Sequence, residues 1–345
     1  MTPLIDIVLD TVRQEFKKPA PSWQPIPLEP TDLQFLHQEC NQASEFDPTN
    51  KRQAMYANLL QGNAPVVIAR CPYGQITVVL ETDAQRTDIP WALWGRILRI
   101  YSDKKQGDTT PFKVFVMASP SLRTFPPGNQ PITPENINGG YTYRCNKETI
   151  LIYRAEDATR VLLHELQHSC CLDHPEQGVD IVEAETEAWA ELLWVALLSE
   201  GDPNLFQALL SRQSTWMVIQ NEEVRKHMKR KASSKGPINN GSVREEPFPW
   251  RYTLGKEEVW RRWGLLSSFE ESNRNSSSSS HMASSSTAVA SVAVAASGKA
   301  DDKRSRKHED KKKSTANPRK SLRLTFPVDA ALKRRFQVKE SSTML

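Results

Sequence analysis

The stretch Val161–His174, VLLHELQHSCCLDH, decides how the chain is to be read. It sets His164, Glu165 and His168 in the spacing H-E-x-x-H. On an α-helix, positions i and i+4 lie one above the other on the same face. Two imidazoles at that spacing can hold one Zn²⁺ at about 2.0–2.1 Å each. Glu165 neighbours the first imidazole, so it points beside the metal and can act as general base on a water bound there. Zinc lowers the pKa of such a water toward ~7, which makes hydroxide available at neutral pH. Three of the 7 histidines fall within residues 164–174, concentrated where the pattern needs them.

Working outward, ETILIYR (148–154) reads as a short strand, and a helix is predicted to begin near Glu156 and Asp157. Acidic residues suit that first turn because of the helix dipole. Downstream, VDIVEAETEAWAELLW (179–194) predicts a second helix over about Asp180–Leu198. It carries Glu183, Glu187 and Glu191 at i, i+4 and i+8, opposite Val182, Trp189 and Leu192. A catalytic zinc site needs a third protein ligand and keeps its fourth position for water. Glu187, with 18 residues between it and His168, is the first candidate. His174 is the second, but Cys171 stands where the corresponding pattern has a turn-forming Gly. Cys171 lies three residues after His168 and is a third candidate, or else a small core residue. The plain alternative for the three glutamates is an ordinary solvated acidic face.

These residues together resemble the zincin metallopeptidases, and within them the gluzincins. There the third ligand is a Glu on the following helix, and Thr186-Glu187-Ala188-Trp189-Ala190-Glu191 is similar to the thermolysin-like Asn-Glu-Ala-x-x-Asp. The resemblance implies that Glu187 is the ligand and that Glu191 orients a histidine. It also implies that INGGYTYR (137–144) is an edge strand pairing with an extended peptide, with Gly139 and Gly140 allowing close approach. The combination NGGYT, Arg-x-Glu, V-L-L-H-E-x-x-H, Leu-Asp and Glu-x-x-Thr-Glu-x-Trp-Ala is similar to uncharacterised metallopeptidase-like proteins of large DNA viruses and protists. This likeness spans about residues 136–195. For a transition-state donor, Tyr141, Tyr143, Tyr252 and His227 are the candidates. His227 lies in EEVRKHMKRK, which reads as a solvated basic helix.

Beyond the motif, 345 residues suffice for a sizeable core. No apolar run approaches the ~20 residues that span a bilayer. Asp6 and Asp10 stand where a signal peptide would be apolar, so MTPLIDIVLDTVRQEF reads as an amphipathic helix with Thr2 as cap and Pro3 in its first turn. Five cysteines, an odd number without framework spacing, suit a reducing compartment. The expectation is an intracellular protein, cytoplasmic or nuclear.

Three segments follow. Residues 1–30 are an N-terminal helix and an arm with five prolines between Pro19 and Pro30. Residues 31–270 are the zincin-like domain, an α+β core with a mixed twisted sheet, the H-E-x-x-H helix and the glutamate-bearing helix. Within it APVVIAR and QITVVL form a hairpin around CPYG, FKVFVMAS is a buried strand, and WALWGRILRIY is a helix or a long strand. SLRTFPPGNQPITPEN is expected as a surface loop. Residues 271–345 read as a disordered tail, with nine serines in 271–286 and a Lys/Arg-rich end. Near its end LRLTFPVDAALKRRF is a candidate docking element.

The net charge of +4 is unevenly placed, since residues 301–345 hold 14 Lys and Arg against 6 Asp and Glu. A nucleic-acid role would rest on that tail alone, where interspersed acids weaken it. The leading expectation is therefore a zinc-dependent peptidase acting on peptide or protein substrates away from membranes. The alternative is a catalytically inactive metal-binding or interaction protein.

Overall fold

The computed structural model describes residues 2–102, 110–233, 247–266 and 320–328. Helix α1 (Pro3–Lys17) starts as expected after Thr2 with Pro3 in its first turn, and it buries Ile5, Val8, Leu9 and Val12 at helical spacing. The Pro-rich arm is extended, but it is no loose linker. Trp23 is buried, its indole N–H donates to Trp91 O at 2.8 Å, and β1 (Gln24–Pro25) pairs with the sheet. Proline is tolerated there because β1 is an edge strand.

Helices α2 (Pro30–Asn41) and α3 (Lys51–Leu60) follow, and then the hairpin β2 (Val66–Cys71) and β3 (Gly74–Val79). Gly74 is required at this corner, since a Cβ would meet Phe112 O at 2.6 Å. WALWGRILRIY resolves as a helix, α4 (Trp91–Ser102), which crosses over to β4 (Phe112–Met117) parallel to β3. After a short α5 (Pro134–Ile137), β5 (Gly140–Tyr141) and β6 (Ile150–Ile152) complete a mixed six-stranded sheet of order β1-β2-β3-β4-β6-β5. The fold is thus mixed α/β, and β5 forms one edge of the sheet as expected.

The side chains of each strand alternate between the two faces. Val79, Phe115, Met117, Leu151 and Tyr153 pack with Leu36, Cys40, Met55 and Tyr56 of α2 and α3 in one core. Toward α4 and α6 (Ala158–Ser169), Trp94 donates to Thr159 Oγ1 at 2.9 Å and Tyr101 to Leu163 O at 3.3 Å. Helix α6 follows β6 directly, and α7 (Val179–Leu198) packs along it. Helices α8 (Pro203–Ser233), α9 (Pro247–Tyr252) and α10 (Leu254–Arg262) complete the described fold. Among the described residues no helix is long and apolar enough to cross a membrane.

Several expectations are corrected. The Pro-rich stretch 121–136 is a surface loop only at 127–131, and its flanks are packed inward. Phe125, Ile132 and Ile137 are buried with Val224, Tyr252, Leu322 and Leu324. The EEVRKHMKRK helix is not solvated throughout, because Val224 and His227 face inward and His227 Nε2 lies 2.7 Å from Gln130 O. The expected disordered tail lies largely outside the described residues. Its 320–328 portion is described and docks against α8, as the docking-element reading anticipated. Cys171 is disulfide-bonded to Cys145 with Cα atoms 4.8 Å apart. The odd cysteine count and lack of framework spacing concealed this pair. Cys40, Cys71 and Cys170 are buried and lie outside any disulfide.

Candidate metal centre

Helix α6 runs beneath the edge of the sheet, with β5 lying over its middle. Val161, His164, Glu165 and His168 line a cleft of about 320 Å³ with Gly139, Gly140 and Tyr141 on its strand side. Gly140 permits this approach. A Cβ there would meet Val161 Cγ1 at 2.7 Å and Leu151 O at 2.9 Å, and would press on Glu165 Oε1.

His164 and His168 turn their Nε2 atoms toward each other at 3.1 Å. Both face the carboxylate of Glu183, at 3.3 Å from His164 and 3.7 Å from His168. One ligand atom from each of the three residues lies within 4.8 Å of the other two. On the far side of each ring stands a carboxylate. His164 Nδ1 is 3.1 Å from Glu187 Oε1, and His168 Nδ1 is 3.1 Å from Asp173 Oδ2. At His168, where Nδ1 is hydrogen-bonded to Asp173, this favours the tautomer that carries its proton there and leaves the Nε2 lone pair for a cation. Two imidazole nitrogens facing one another across a carboxylate form the donor set of a divalent ion.

The third apex is therefore Glu183, one turn before Glu187. Glu187, the expected ligand, does not join this cluster but stands behind His164, where it also pairs with Arg160 and lies 3.9 Å from Lys256 Nζ. Glu191 sits a turn deeper and reaches no histidine. Its Oε2 accepts from Lys256 Nζ at 2.9 Å and Arg160 Nε at 3.0 Å. Far from forming a solvated acidic face, Glu187 and Glu191 are buried. His174 is exposed and pairs with Glu176, and Cys171 is in its disulfide, so neither serves as third ligand.

The electrostatics follow from burial. His164 is pushed down to about 4 by burial, only partly opposed by Glu183, so its ring is neutral and free to donate an electron pair. The Glu165 carboxyl is raised well above its usual range, first by burial and then by the Glu183 charge. Glu183 itself is held low. Burial pushes it up, but the adjacent histidines and Arg251 more than offset that.

Of the four candidate donors, only Tyr252 faces the site with its hydroxyl uncommitted to Glu39. It lines the cleft with its ring 6.5 Å from that of His164. Tyr141 and Tyr143 donate to the Glu39 carboxylate, at 2.7 and 3.1 Å, and His227 lies against Phe125. Sequence reasoning passed over Asp173, Arg160 and Lys256. Asp173 had one legible signal, a carboxylate five residues after His168 just past the helix end.

No protein-family model matches the chain, and neither does any curated protein or solved structure.

Proposed function

We propose that the chain is a metal-dependent peptidase. One observation carries this reading: His164 Nε2, His168 Nε2 and the Glu183 carboxylate converge beside the buried Glu165, in a cleft bounded by an edge strand. The two histidines and Glu183 would hold the ion, and zinc is the expected one from the ligand chemistry and the likeness of the motif to gluzincins. When bound, such an ion supplies Lewis acidity and makes a water acidic near neutral pH. The zincin-like identity of the core belongs to this same proposal.

The chain's own residues then divide the work. Glu165 takes a proton from the attacking water and delivers it to the departing amine nitrogen. Its raised affinity for protons suits that return delivery. The Tyr252 hydroxyl donates to the oxygen on which negative charge develops. The free edge of β5 at Gly140–Tyr141 holds an extended peptide by main-chain hydrogen bonds. Among the described residues, no fourth His, Cys, Asp or Glu joins the triad, which favours an open position over a closed structural site.

The test is Glu165→Gln. Turnover of a peptide mixture, followed by mass spectrometry, should fall by about 10²–10⁴-fold, while elemental analysis still finds one metal per chain. Undiminished turnover in that variant would sink the mechanism.

A further inference from the structure

Residues 320–328, Lys-Ser-Leu-Arg-Leu-Thr-Phe-Pro-Val, are held the way a protein holds a peptide ligand. The segment is extended and makes an antiparallel bridge, Thr124 opposite Ser321. Phe125 N donates to Lys320 O at 2.9 Å, and Leu322 N donates to Arg123 O at 3.0 Å. Along its other side, one face of α8 reads its main chain. Gln220 Nε2 donates to Ser321 O at 3.3 Å and to Arg323 O at 3.0 Å, and Trp216 Nε1 donates to Arg323 O at 3.0 Å. Gln213 takes both roles: its Oε1 accepts from Phe326 N at 3.0 Å, and its Nε2 donates to Leu324 O at 3.5 Å. Arg212 Nη2 closes the row on Pro327 O at 3.1 Å.

Main-chain recognition fixes register and direction, and alternate side chains supply specificity. Here Leu322, Leu324 and Phe326 are 1%, 7% and 1% exposed, each in a socket, while Ser321 and Pro327 face out. Every one of these partners precedes residue 267, and the covalent connection runs through residues 267–319. The contacts are those by which a groove holds an extended ligand.

The groove also adjoins the metal cleft. Leu324 forms part of the cleft wall. Arg323 pairs with Asp157 at the start of α6, and Leu324 O accepts from Lys256 Nζ at 3.4 Å. We propose that the groove between α8 and residues 123–125 is a peptide-recognition site for an extended Leu-x-Leu-x-Phe-Pro segment. Its occupant is the chain's own residues 320–328, and the groove takes the same segment when it is supplied as a separate molecule.

The experiment uses the full chain with its own strap spoiled by Leu324→Asp and Phe326→Asp. A fluorescein-labelled peptide of residues 319–328 should bind this variant with a Kd on the order of micromolar. It should bind the unaltered chain at least about tenfold more weakly, because the site is already filled in cis. Adding Gln213→Ala and Trp216→Ala to the spoiled variant should abolish uptake. A folded variant that takes up no peptide overturns the proposal. If the double-Asp chain fails to fold, the decision passes to residues 1–278 and 279–345 co-expressed as two polypeptides. Co-purification that is lost on Leu324→Asp in the smaller piece supports the groove, and halves that do not associate or are insoluble overturn it.

Discussion

The cleft in front of His164 and the charge cluster behind it share α6 and α7, and α10 adds Lys256 to the cluster. In front, Glu183 is half-buried and faces the Nε2 atoms of two imidazoles. Behind, Glu187 and Glu191 are fully buried against Arg160 and Lys256, two acids facing two bases. The front has a surplus of electron-pair donors and so invites a cation. The back is balanced within the protein and so has no use for one. The difference is one helical turn, and it separates a carboxylate that faces both imidazoles from one paired with buried bases.

The sharpest way to break this comparison is to exchange the roles of the two glutamates. Glu183→Ala removes an atom of the triad, and the purified chain should lose its bound metal altogether by elemental mass spectrometry. Glu187→Ala should leave one metal per chain but weaken its affinity about 10–100-fold, the usual cost of losing a carboxylate behind a ligating histidine. Chelator competition measures both. If Glu187→Ala empties the site and Glu183→Ala does not, the assignment drawn from the geometry is reversed.

Behind the histidine, Lys256→Met should destabilise the fold by about 3 kcal/mol, because it strands a buried carboxylate. The double change Lys256→Met with Glu191→Gln should recover much of that loss, since it removes the orphaned charge. Denaturant titration reads both values. Equal stability of Lys256→Met and the unaltered chain would mean that the back of the site is hydrated and not the sealed cluster described.

That distinction was only half legible in the sequence. The spacing of His164, Glu165 and His168 reported a shared helix face, and the structure keeps them on one. The i, i+4, i+8 spacing of Glu183, Glu187 and Glu191 likewise reported a face, but periodicity carries no information on depth. Which turn of α7 meets the histidines is set by how α7 crosses α6, a tertiary fact. The strands were legible because Val- and Ile-rich runs flanked by Pro and Gly have few other uses. The cysteine pair was not, because Cys145 and Cys171 are brought together only when β5 and β6 return alongside α6. Arg160 and Lys256 were missed for a related reason. A lone basic residue in a helix reads as solvent-facing until its acidic partners from another element are placed against it.

The disulfide sharpens the comparison at the rim. The backbone N–H groups of Cys145 and Cys171 both donate to His168 O, at 2.9 and 3.1 Å, so the bridge pins the end of α6 that carries the second imidazole. Closing a loop of sequence separation 26 corresponds to about 3.5 kcal/mol in the chain-entropy account. Cys145→Ser with Cys171→Ser should approach that loss as an upper bound, measured in denaturant without reductant. It should weaken metal binding less than Glu187→Ala does, because Asp173 remains in reach of His168. An undiminished midpoint would mean that the bridge contributes no constraint.

The smallest effect concerns pH. Burial lowers Lys256 to about 8 in the folded chain, against the pull of Glu191, from an ordinary value of 10.5. Between those values the unfolded chain holds a proton that the native chain lacks, so raising pH across the interval favours the native state. The stability linked to this group is fully present above about 10.5 and is lost as pH falls through about 8. Between pH 8 and 9.5 the unaltered chain should therefore gain on the order of 1–2 kcal/mol relative to Lys256→Met. The comparison with the variant matters, because it cancels the titration of every exposed lysine and tyrosine common to both chains. The front of the site predicts no such gain, since His164 already folds neutral at pH 8. Parallel profiles for the two chains would place the Lys256 ammonium in contact with water, and the cluster would then be an extension of the cleft and not its sealed support.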